Sequence, residues 1–232
     1  LLAILARAVG LSTVGWVAGL TMGAAVAAAL TVGLSRSGRE ELGAANRVTL
    51  ARAVLVGAIA ALVSDGFVRA TPVAAVIALA VPALLLDAID GRVARRTDTV
   101  SPLGARFDME VDALLILVLS VEVSRTLGAW VLAIGAARYA LGAAGVLLPW
   151  LRAPSPARTW GKIVAAVQGI TLTAAVAQVL PSVVTMVVVA CALGMLAESF
   201  GRQVAWLWQY ARVRSVRRPP RPIYAVPVPV RR

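Results

Sequence analysis

The sequence predicts an all-α fold, a polytopic transmembrane helical bundle, on three observations. Hydrophobic residues make up 60% of the chain and charged residues 15%, with a mean hydropathy of +0.86. Those values lie outside the range of soluble globular domains. Seven segments are long and apolar enough for a bilayer core of roughly 30 Å, which takes about 20 residues of helix. None alternates apolar and polar residues as a strand of a membrane barrel must.

The expected spans are residues 9–34, 48–64, 71–94, 103–123, 130–150, 163–179 and 183–206. The first contains small-residue text from Ala24 to Ala29 that resembles a cleavage site. It is nevertheless longer than the 7–15-residue apolar region of a signal peptide, so a retained helix is expected. A polar break at 35–43 follows, in which Glu40 and Glu41 suit the first turn of a short interfacial helix. The last stretch, 213–232, is rich in Pro and Arg without apolar periodicity and reads as a disordered basic tail. It either lies against anionic lipid or serves only to anchor the topology.

The net charge is +12, carried by 22 Arg and one Lys. The basic residues gather at 36–52, 92–106, 152–162 and from Arg212 onward, whereas the alternate connections carry only Arg69 and Arg125. By the positive-inside rule this places the loop at 92–106 in the cytoplasm and Leu1 on the other side. The expected location is a multi-pass protein of the cell (inner) membrane. A pI near 11.6 also suits nucleic-acid binding. Here the basic groups mark membrane–water boundaries without interleaved stacking aromatics, so no nucleic-acid partner is expected. The single Cys191 excludes an intrachain disulfide and reads as a small core residue. With no His in the chain, proton transfer falls to carboxylates.

Four of the six Asp residues fall in one 26-residue window: Asp87, Asp90, Asp108 and Asp112. A carboxylate at helix-centre depth costs roughly 2.5–3.5 kcal/mol on insertion scales and persists only where something stabilises it. On helices, Asp87 and Asp90 share one face and Asp108 and Asp112 another. Two such faces turned together make a cage that self-repulsion forbids unless cations fill it, so the pattern points to a metal site. Asp65 and Asp98, by contrast, read as helix-end caps.

The window reads D-x2-D-G-x2-A-R-x8-G-x3-D-x3-D, with Gly91, Ala94, Arg95 and Gly104 between the acids. This resembles the signature of the CDP-alcohol phosphotransferase family at every defined position. The resemblance implies transfer of a phosphatidyl or similar group from a CDP-linked lipid to an alcohol, with release of CMP. It assigns Asp87, Asp90, Asp108 and Asp112 to two Mg2+ or Mn2+ ions and gives Asp112 the further role of general base. Gly91, Ala94 and Gly104 would let the nucleotide approach closely, and Arg95 would meet a phosphate. Ordinary packing by small residues is the other reading of these positions.

The likeness extends more weakly. Asn46, Thr49 and Arg52 resemble an N-x-x-T-x-x-R stretch that helps to hold the CDP-lipid, and Ser101 stands near the expected nucleotide. Asn46 and Ser101 also fit helix N-caps. Trp160-Gly161-Lys162 through Gln168 resembles a G-K-x-K-T-x-x-Q stretch of phosphatidylglycerophosphate and cardiolipin synthases, departing from it at Val164 and Ala165. Arg138 matches an Arg that in those enzymes precedes an acid, but Tyr139 takes the acid's place. The chain as a whole also resembles phosphatidylinositol-phosphate synthases.

The resemblance spans about 43–212, so the last six spans form its six-helix core and the first is an addition. It implies division into an extra helix (1–34), a membrane domain (35–212) and the tail (213–232). It further implies CDP-diacylglycerol as donor and a homodimer in the bilayer, while the basic residues Arg138, Arg152, Arg158 and Lys162, which could surround a phosphate, point to a phosphorylated or lipid-borne acceptor. Two other classes fit an acid-bearing bundle: an ion-coupled transporter, and a scaffold that keeps the fold without activity.

Overall fold

The structure, a computed structural model, describes residues 1–37, 44–96, 102–153 and 159–216, with side chains described for 1–32, 47–88, 104–153 and 160–213. Among these residues every regular element is a helix and there is no strand. The helices are α1 (Leu2–Ala8), α2 (Thr13–Ser37), α3 (Ala44–Asp65), α4 (Val73–Arg96), α5 (Pro102–Leu127), α6 (Leu132–Leu147), α7 (Thr159–Ala177) and α8 (Ser182–Val216). Short 3₁₀ turns at Ala129–Val131 and Pro149–Arg152 flank α6.

Each of the seven expected spans falls on one of α2 to α8. Five stretches are long and apolar enough to cross a membrane: Thr13–Val32, Arg47–Asp65, Ala129–Leu147, Trp160–Ala177 and Ser182–Val213. They mark a membrane protein. In α4 the apolar stretch among the described side chains is shorter, Val73–Ala88. In α5 the charged residues Arg106, Asp108, Glu110 and Asp112 occupy the first half.

The structure departs from the sequence expectations at three places. Residues 9–12 are not part of the first span: Gly10, at φ +66°, lets the chain turn between a short α1 and α2. Helix α8 continues past Arg212 to Val216, so the first residues of the expected tail are helical. Cys191, expected in the core, is exposed on α8. An apolar residue in a membrane helix meets equally apolar surroundings on the lipid side and the protein side, so hydrophobicity alone does not turn it inward. The Glu40–Glu41 turn and Asp98 lie outside the described residues.

Helix α3 is the central element. It packs against α2, α4 and α5, while α5 also contacts α6 and α7, and α7 contacts α4 and α8. Two thirds of its span (67%) is buried, against 17% for α2. Ile59, Leu62, Val76, Leu119, Val131, Leu172 and Val189 fill the core. Small residues allow the close approaches that drive association in lipid. A Cβ added at Gly135 would lie 2.6 Å from Leu117 Cα, so α6 meets α5 backbone to backbone. At Gly19 of α2, an added Cβ would lie 3.1 Å from Ala61 Cβ of α3.

One end of the bundle carries a polar belt. Asp65, at the end of α3, accepts the Ser12 N–H at 2.8 Å and pairs with Arg69. The cap read from the sequence thus serves α2, not its own helix. Arg125 donates to Thr71 Oγ1 at 2.7 Å and to Glu122 at 3.1 Å. Its guanidinium lies 5.4 Å from the Phe67 ring centroid. These partners satisfy the charged groups of the connections at this end locally.

Candidate active site

The other end of the same helices holds the acidic motif. Along α3, Arg52 and Asp65 are separated by about 20 Å of helix at 1.5 Å per residue. Asp87 approaches from α4, and Asp108 and Asp112, one turn apart, from α5. Both helices pack on α3, which places Arg52 opposite all three.

Asp87, Asp108 and Asp112 each offer an oxygen to a set lying within 4.8 Å of one another. Arg52 Nη1 stands 2.9 Å from Asp87 Oδ1 and 2.6 Å from Asp108 Oδ1, and Arg52 Nη2 donates to Asp112 Oδ1. The Arg52 side chain is 1% exposed while the three carboxylates are 30–36% exposed. The cation therefore closes the floor of the cluster, and the acids keep one side open to an incoming group. Thr49, one turn before Arg52, is buried beside it on α3.

The donor set is all carboxylate oxygen, which suits a hard divalent cation such as Mg2+ and offers no soft ligand. The three convergent acids can hold such an ion. Like charges this close repel one another, and in addition to Arg52 a bound cation would offset that repulsion.

Other expected site residues fall in different places. Asn46 lies inside α3 and not ahead of it, which removes the N-cap alternative. Asp90, Gly91, Ala94 and Arg95 continue α4 beyond Asp87, with side chains outside the described residues, as is that of Asn46. Gly104 lies in the first turn of α5, half-buried. Ser101 and Arg158 lie outside the described residues. Lys162 is exposed near the start of α7. Gln168 is fully buried and donates to the Ala192 carbonyl at 2.7 Å, tying α7 to α8. Trp160 Nε1 donates to Glu198 Oε2 at 3.0 Å across the same pair of helices.

Arg138 pairs with Glu110. Glu110 is two residues from both Asp108 and Asp112, about 200° around α5, so it lies on the far side from the carboxylate face. Sequence reading missed this partnership, although an acid within the motif that no defined position requires was a usable signal. It also missed that Arg52 bridges the motif acids. The signal there was an Arg within an apolar span, which must find acids to persist.

The family model for CDP-alcohol phosphatidyltransferase matches residues 42–196, about two thirds of the chain. The protein belongs to this family. No curated protein and no solved structure matches the chain significantly. CDP-alcohol phosphatidyltransferases transfer a substituted phosphate group from a CDP-alcohol to an acceptor alcohol and are typically dependent on a divalent metal. The match takes in α4 and α5 with all four motif acids and ends within α8. Helices α1 and α2 precede it.

Proposed function

We propose that this CDP-alcohol phosphatidyltransferase uses CDP-diacylglycerol as donor and a phosphate-bearing alcohol as acceptor, in phospholipid synthesis. The observation that carries the reading is the convergence of Asp87, Asp108 and Asp112 at one open face. Asp90 completes the ligand set by its place in the motif. A divalent cation bound there supplies positive charge to the pyrophosphate and to the departing nucleotide. Asp112 takes the proton of the acceptor hydroxyl. The acceptor oxygen bonds to the phosphatidyl phosphorus, that phosphorus loses its bridging oxygen, and CMP departs. Asn46, Thr49, Arg52, Gly91, Ala94, Arg95, Ser101 and Gly104 hold the CDP-lipid in this reading, on the strength of the motif. The experiment is CMP release by purified protein from CDP-diacylglycerol with a panel of alcohols. No release with any alcohol would sink the reading.

An ion path through the bundle is less well supported. Among the described residues of α3, α4 and α5, no carboxylate lies between the motif cluster and the belt at Asp65 and Glu122. We also take the protein to be a homodimer, with residues 1–34 as an addition to a membrane domain at 35–212.

The active site faces the cytoplasm in this proposal, because the basic residues crowd that end. Single cysteines placed in the 213–232 tail, in a Cys191→Ser background, are expected to resist an impermeant reagent applied outside intact cells. Labelling from outside would invert the orientation.

For the acceptor phosphate, Lys162 and Arg158 are the better candidates, since Arg138 already has Glu110 as its partner. A hydrogen bond to a charged group is worth about 1.5–3 kcal/mol, or roughly tenfold to a hundredfold in affinity. Lys162→Ala is therefore expected to raise the acceptor KM by about that factor while the donor KM moves little. An unchanged acceptor KM in both Lys162→Ala and Arg158→Ala would mean that these cations only mark the membrane boundary.

A further inference from the structure

Arg52 is a cation buried in an apolar bundle, and a charge at that depth is kept only by its partners. Those partners are the three acids that form the candidate metal site, each engaged through Oδ1. The guanidinium and a divalent ion therefore draw on one group of carboxylates. They do so at different spacings. Arg52 Nη1 holds its oxygens at 2.6 and 2.9 Å, whereas Mg2+ takes oxygen ligands at about 2.0–2.1 Å. The three acids offer oxygens within 4.8 Å of one another, and the planar fork stands among the carboxylates that would close on an ion. Charge does not forbid both cations: three carboxylates and one guanidinium leave two negative charges. The competition is for oxygens and for space, sharpened by repulsion between the two cations at short range.

We propose that Arg52 is an internal competitor of the divalent ion: it neutralises the acids until the ion loads, and then gives up at least one of them. Nη2 engages Asp112, and where that is the acid given up, loading of the ion also frees the carboxylate that accepts the acceptor proton. Arg52 is thus a positioning residue that couples ion occupancy to a working base. This rests on the metal-dependent reading above.

The test is Mn2+ binding to the purified full chain in lipid nanodiscs, without nucleotide or donor lipid, followed by electron paramagnetic resonance of free Mn2+. Arg52→Gln removes the charge and the fork. It is expected to bind Mn2+ about tenfold or more tightly than wild type, the reverse of what loss of an ordinary site residue does. Arg52→Lys keeps a point charge that cannot span three acids, and its affinity should fall between the two. Melting should show the same exchange: Arg52→Gln melts lower without ion and gains more from saturating Mn2+ than wild type does. Should Arg52→Gln fail to fold without ion, Arg52→Lys carries the comparison alone. Unchanged or weaker Mn2+ affinity in the folded variants would overturn the proposal and leave the metal reading standing. Absence of Mn2+ binding in wild type and in every variant would overturn both.

Discussion

Asp112→Asn is expected to lower turnover by about 10²–10⁴-fold, the usual worth of a general base. Asparagine keeps the shape of the side chain and can still accept a hydrogen bond from Arg52, but it cannot take up the acceptor proton. The donor KM should stay within a few-fold of wild type, which separates loss of a transition-state interaction from loss of binding. Asp112 is suited to the role by position: it stands one helical turn beyond Asp108, at the open face, with its carboxylate 30% exposed. Turnover of Asp112→Asn within a few-fold of wild type would remove it from the role. Mn2+ binding by the same variant distinguishes a lost base from a lost ligand.

Excess chelator is expected to abolish CMP release, and Mg2+ or Mn2+ should restore it. Arg52 contributes one positive charge against three acids on the described residues, which is too little to neutralise them and a pyrophosphate together. Hard oxygen donors favour Mg2+ and Mn2+ over soft, thiophilic ions. Undiminished CMP release in excess chelator would refute the metal assignment. Because Arg52 holds the same acids, chelated protein should remain folded, and circular dichroism of the chelated sample checks this.

The helices were legible because lipid leaves the backbone few choices: every N–H and C=O must be satisfied within the segment. Runs of apolar residues therefore appear as α2 to α8 close to where they were expected. The short α1 was not legible, since Leu2–Ala8 merges with the following apolar text until Gly10 turns the chain. The acids were legible as well. Charges within apolar spans are expensive, and their i,i+3 and i,i+4 spacing puts each pair on one helix face.

What stayed hidden was the rotation of each helix and the partner of each charge. Arg138 and Lys162 looked alike in the sequence, as cations near the boundary. In the structure Arg138 turns to Glu110 on the far side of α5, while Lys162 lies exposed on α7. Arg52 was legible as a CDP-lipid contact by resemblance, but its closing of the carboxylate cluster was not. Cys191 looked like core and is exposed.

The sequence alone determined that the chain is a helical membrane protein and singled out Asp87, Asp90, Asp108 and Asp112 as the acids proposed to carry its chemistry. Both follow from the cost of placing backbone and charge in a medium without water. Only the tertiary structure decided which side chains meet: Arg52 with three acids, Asp65 with the start of α2, Gly135 against Leu117. Lipid and protein interior are equally apolar, so an apolar helix does not encode its inward face by hydrophobicity. That face is set by close packing and ion pairing between helices far apart in the chain.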